Sequence, residues 1–211
     1  MSDKAKIHLS KFETELVTNA EWILTKQAII NKVHTFFGEM HDIYKRIASR
    51  ENKVLKELGL VKNGKISKGE NYLGLPYLIL DYPASFHKDS ILAIRTMFWW
   101  GNFFSITLHI SGEKILSGFD LQNIRSRLAG QDYAICVNND QWQHTYEKEN
   151  YTPLKGMNEK DFDSIIKKSF IKISKNIELS RWHEAPGFLE NSYKELIDFL
   201  RISYRGDETI L

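Results

Sequence analysis

Two runs rich in β-branched and aromatic residues flank Gly101-Asn102 within residues 91–111, the chemistry of two strands joined by a tight turn. Parity decides how such strands can pair. If the loop holds an odd number of residues, centred on Gly101 or Asn102, then Leu92, Ile94, Phe98 and Trp100 share a face with Phe104, Ile106, Leu108 and Ile110. Arg95, Met97 and Trp99 then share the opposite face with Phe103, Ser105, Thr107 and His109. An even loop would mix polar and apolar side chains on both sides, and a slip of one residue exchanges the faces. The odd loop is therefore expected, and one oily sheet face must be covered.

Both ends of the chain offer covers. Ser10 with Glu13 and Thr18 with Glu21 match the capping box, the second standing just before Trp22. Ile29, Val33, Phe36, Met40, Tyr44 and Ile47 then recur at helical spacing, with Gly59 placed to stop the helical stretch. Near the other end, a helix from Asn158 would bury Phe162, Ile166, Phe170 and Ile173. Another, with Pro186 in its first turn, would bury Leu189, Tyr193, Leu196 and Leu200. Between them lie turn residues Lys62-Asn63-Gly64-Lys65 and a strand over 77–82 closed by Pro83. A short helix over 121–128 ends at Gly130, and a strand pair over 133–137 and 141–146 turns at Asn138-Asn139-Asp140. The order helices, strands, helices predicts an α+β fold, a central antiparallel β-sheet packed by N-terminal and C-terminal amphipathic helices. No linker or repeat interrupts it, so one domain over residues 1–211 is expected. A chain of 211 residues buries roughly 70% of its unfolded surface, enough to be stable without disulfides or a structural metal.

The segment Tyr72-Leu73-Gly74-Leu75-Pro76-Tyr77-Leu78-Ile79-Leu80-Asp81-Tyr82-Pro83, continued in Thr96-Met97-Phe98-Trp99-Trp100-Gly101-Asn102-Phe103-Phe104, resembles a bacterial protein family of unknown function. Through Leu75-Pro76-Tyr77 and the aromatic strand after it, the chain is also similar to the YktB-like proteins, again of unknown function. The resemblance implies the fold class and carries no catalytic residue across.

Several chemistries are disfavoured. The one cysteine, Cys136, sits in Tyr133-Ala134-Ile135-Cys136-Val137 and reads as a buried thiol, not a nucleophile. A net charge of +2 lacks the concentrated basic excess of a nucleic-acid binder. No signal-peptide pattern and no apolar run of roughly 18 residues occurs, so a cytoplasmic protein without a membrane span is expected. Walker, G-x-G-x-x-G and G-x-S-x-G motifs are absent, and no cofactor is implied. His34 and His41 stand roughly 10 Å apart along a helix, too far to chelate one metal ion, and His183 has no second ligand at metal spacing.

What remains is the polar face of the central hairpin. Arg95 and His109, with Ser105, Thr107 and Trp99 beside them, could hold a small anionic or polar ligand, or catalyse a reaction on it. Asp81 could orient or neutralise Arg95, and strand alternation would bring Trp142 and His144 to the same pocket. The bland alternative is a covered strand face whose polar groups satisfy one another. A different function would make the chain an interaction module, a homodimer joined by the aromatic hairpin Trp99-Trp100 and Phe103-Phe104 or by its amphipathic helices. Lys160, Lys167, Lys168, Lys172 and Lys175 on the helix from Asn158 could face nucleic acid, a weaker case than a solvated helix side.

Overall fold

The alternation across residues 91–111 becomes the centre of the sheet. The computed structural model describes residues 8–50, 52–58, 60 and 64–205. The turn at Lys62-Asn63 and the stop at Gly59 lie outside the described residues. Strands β3 (Ser90–Trp99) and β4 (Phe103–Ser111) pair antiparallel from Ile91↔Ser111 to Trp99↔Phe103, which leaves Trp100, Gly101 and Asn102 as the turn. The loop is odd and centred on Gly101, whose φ of +73° suits a residue without a β-carbon.

On one side of the hairpin lie β2 (Leu75–His87) and the edge strand β1 (Lys65–Tyr72); on the other lie β7 (Phe170–Glu178), β5 (Ala134–Cys136) and β6 (Tyr151–Pro153). The sheet order is β1-β2-β3-β4-β7-β5-β6, and every neighbouring pair is antiparallel. Helices α2 (Ala20–Arg50) and α7 (Ala185–Ser203) cover its apolar face. Val33, Phe37 and Tyr44 of α2 and Leu189, Tyr193 and Leu196 of α7 share a buried cluster with Leu80, Ile94, Phe98, Phe104, Ile106, Leu108 and Ile173 of the strands. Each such side chain contributes about 1.5–3 kcal/mol when fully buried. Thr96, the polar member of that face, meets the Tyr44 hydroxyl at 3.0 Å, and the Tyr44 and Tyr193 rings stack 3.9 Å apart.

Several local expectations give way. Val33, Met40 and Tyr44 lie in the α2 stripe, but its other buried members are Ile30, Phe37 and Ala48, so Ile29, Phe36 and Ile47 flank it. Asn19, not Thr18, caps α2, its Oδ1 accepting from Trp22 N at 3.2 Å; Thr18 instead donates back to Thr14 O. Pro83 does not close β2, because it falls in the bulge between Asp81 and Ala84, where the ladder needs no N–H. The helix from Asn158 stops early: α6 is Glu159–Ile165, and Phe170 and Ile173 belong to β7. Residues 141–146 form no strand; β5 pairs with β6 instead. The shorter helices are α1 (Lys11–Thr18), α3 (Asn52–Glu57), α4 (Glu113–Ser117) and α5 (Asn123–Leu128). No helix among the described residues is long and apolar enough to cross a membrane.

Candidate functional site

The second sheet face carries polar side chains in ordered rows, because residues paired across antiparallel strands point to the same side. One row runs Asp81, Arg95, Thr107, Ser174; the next runs Ala93, His109, Lys172. Arg95 grips Asp81 with two parallel bonds, Nε to Oδ1 at 2.8 Å and NH2 to Oδ2 at 3.0 Å. Thr107 and Ser174 hydroxyls meet at 2.6 Å, and the Tyr146 hydroxyl closes on Ser174. Ser105, on the same face, is buried beside the Tyr146 phenol.

A single irregular segment, residues 138–150, lies across these rows. Its ends are tied together, Asn138 Nδ2 to Asn150 Oδ1 at 2.6 Å and Val137 N to Asn150 O at 2.8 Å, which makes it an Ω-loop. Asp140 shapes it from within by accepting from Trp142 N and Gln143 Nε2. Besides the Tyr146 hydroxyl on Ser174, three hydrogen bonds dock it on the sheet. His109 Nε2 donates to Gln141 Oε1 at 2.9 Å, Lys172 Nζ to Gln143 O at 2.6 Å, and His144 N to the Tyr72 hydroxyl at 2.8 Å. A connection of this length without regular structure is uncommon in a compact fold and usually serves as a binding loop or lid.

Electrostatics set the face apart. Lys172 is 1% exposed, and among the described residues no carboxylate lies within ion-pair distance of its ammonium. Its charge rests on the Gln143 carbonyl and, 5.6 Å away, the Tyr151 ring. Burial, with Arg95 nearby, lowers its pKa to about 8. Burial and the Lys172 charge push His109 down to about 4 and His144 lower still, so both imidazoles are neutral at pH 7. The Cys136 thiol is buried, and burial raises its pKa, which is the reverse of a reactive cysteine. No group of three His, Cys, Asp or Glu among the described residues is arranged to hold a metal ion.

The face opens at one end. A cleft of about 550 Å³ there is lined by Phe86, Ser90, Ser111, Gln141 and Trp142 among others. Phe86 and Trp142 are both nearly half exposed, and each lies over a charged or titratable group: Phe86 against the Arg95 guanidinium, Trp142 edge-on to His109. The cleft is thus one aromatic side chain away from each.

Arg95, His109, Ser105, Thr107 and Asp81 share this face, and the loop adds Trp142 and His144 without the strand that was expected to carry them. Trp99 shares the face but stands at its far end, donating its indole N–H to Tyr72 O at 3.2 Å and packing on Phe103. The aromatic side chains that line the cleft are Phe86 and Trp142. Of the tip aromatics, Trp99 and Phe104 are buried, while Trp100 and Phe103 are half-buried, Trp100 flanked edge-on by Trp22 and Phe98. Lys172, assigned in sequence to a solvated helix side, is the residue sequence reasoning missed. Comparison with models of known protein families, with curated proteins and with solved structures returned no match.

Proposed function

We propose that this protein binds a small anionic ligand on the second sheet face, at the margin between the Ω-loop and strands β3, β4 and β7. The observation that carries this reading is Lys172, an ammonium buried in the sheet without a carboxylate partner. A charge removed from water costs several kcal/mol unless an opposite charge and hydrogen bonds compensate. The single bond to Gln143 O uses one of three donors, and an anion entering past Phe86 and Trp142 would supply the missing charge. His109 would donate to it once Gln141 yields, and Arg95, held flat by Asp81 in the adjoining row, would give the face its second positive charge. Phe86 and Trp142 would stack on the ligand's apolar part.

The test is a thermal-shift screen of small phosphates, carboxylates and sulfates against the wild type and Lys172→Met. A ligand at about 100 times its Kd adds about 2.7 kcal/mol, roughly 5–10 °C in Tm for a chain of this size. That shift should vanish in the variant, which keeps most of the apolar stem and whose far-UV circular dichroism should match the wild type. No shift with any anion at about 10 mM, or equal shifts in both proteins, would overturn the reading.

A further inference from the structure

We propose that residues 8–29 form an arm through which two copies of this chain pair. Helix α1 buries none of its side chains, and Leu9, Phe12, Leu16 and Val17 all face solvent, with Phe12 66% and Val17 71% exposed. The apolar surface continues onto the start of α2 through Trp22, Ile23 and Leu24, and the first buried residue of α2 is Ile30.

The arm's shape is nonetheless specified. Ser10 and Glu13 complete a reciprocal capping box at the start of α1, and Asn19 ends that helix and caps the next. Trp22 lies edge-on to Trp100 at 6.4 Å, and Lys26 pairs with Glu70 at 2.6 Å, which fixes the arm's root to the sheet. An eight-residue helix does not persist in water on its own strength; helices this short are held by packing an apolar face. Among the described residues α1 has no such packing, and a second copy of the chain would supply it.

Area and charge identify that partner. The seven apolar side chains, each more than a third exposed, present roughly 600 Å² at the areas usual for large apolar groups. A stable protein interface takes roughly 800 Å² from each side. One arm set against another, with rim residues added, reaches that size, and the same patch on both copies gives a closed twofold pair. The arm holds two lysines and three glutamates, one net negative charge, which is not the basic face that an anionic membrane surface attracts.

Analytical ultracentrifugation of the full chain decides the matter. The wild type should sediment as a dimer at about 100 µM. Phe12→Glu with Val17→Glu, and separately Leu24→Lys, should raise the dimer dissociation constant at least tenfold. Because these side chains are mostly exposed in one chain, both variants should keep the wild-type far-UV circular dichroism above the loss of α1. A wild type that stays monomeric at that concentration overturns the proposal, as do variants that remain dimeric. So does a monomer that sediments with anionic phospholipid vesicles, since the arm's partner would then be a membrane.

Discussion

Replacing Lys172 with methionine removes the ammonium and its bond to Gln143 O while keeping most of the apolar stem, so the part of the change that varies with pH reports on the charge. The folded protein lowers the Lys172 pKa from 10.5 to about 8, chiefly by burial. At about 1.4 kcal/mol per pH unit, that gap is worth about 3 kcal/mol against the charged form. Below pH 8 the folded chain carries the buried ammonium at full cost. Between about 8 and 10.5 the folded chain has released the proton while the unfolded chain still holds it, so stability rises with pH across that window. Against Lys172→Met, the wild type should therefore gain about 2.5 kcal/mol between pH 7 and pH 10. Urea unfolding of both proteins at intervals over that range measures it. Taking the difference cancels the buried tyrosines Tyr44 and Tyr146, whose raised pKa values weaken both proteins above pH 10. Repeating the series with a saturating anion should flatten the slope, because a bound negative charge returns Lys172 toward its ordinary pKa. A difference that does not change with pH in the absence of ligand would refute the reasoning, for it would mean that Lys172 is not desolvated.

The Arg95–Asp81 pair should behave as a coupled unit. Arg95→Met strands a largely buried carboxylate and should cost about 3 kcal/mol in chemical denaturation, the low end for buried pairs because both side chains keep some solvent contact. Adding Asp81→Asn should restore part of the loss, and additive losses would refute the coupling. Gly112→Ala should cost at least about 2 kcal/mol, since φ is +96° and a β-carbon would collide with the Asp89 carbonyl oxygen. Gly38→Ala, inside α2 with open space around the new methyl group, should instead gain about 0.5–1 kcal/mol; equal effects at the two sites would contradict this geometry.

The central hairpin was legible because parity is a strong constraint: only an odd turn keeps Arg95 and His109 off the face that holds Ile94 and Leu108. The α7 stripe of Leu189, Tyr193, Leu196 and Leu200 was equally plain, all four being buried. Strand β7 was hidden by coincidence, since Phe162, Ile166, Phe170 and Ile173 happen to recur at helical spacing. The alternation of Ile171, Ile173 and Ile177 with Lys172, Ser174 and Asn176 was the signal available, and it would also have found Lys172. The Ω-loop was misread because Trp142, His144 and Tyr146 alternate as a strand would. Their environment comes from Tyr72, His109 and Ser174, residues distant in sequence, so no local pattern reveals it. Strand β1 escaped notice because Lys65, Lys68 and Glu70 make it polar, as suits an exposed edge.

Because β7 lies between β4 and β5, the sheet cannot be completed in the order of synthesis. A nascent chain that has emerged from the ribosome only through α6 holds a β1–β4 meander with the bare flank of β4, and a separate β5–β6 ribbon with nothing to join. Unpaired flanks of this kind invite association between neighbouring chains. Nine residues near the end, Phe170–Glu178, unite the two pieces and bring Lys172 and Ser174 beside His109 and Thr107. Assembly of the polar face and closure of the sheet are therefore one late event, and a polypeptide stalled before it has neither.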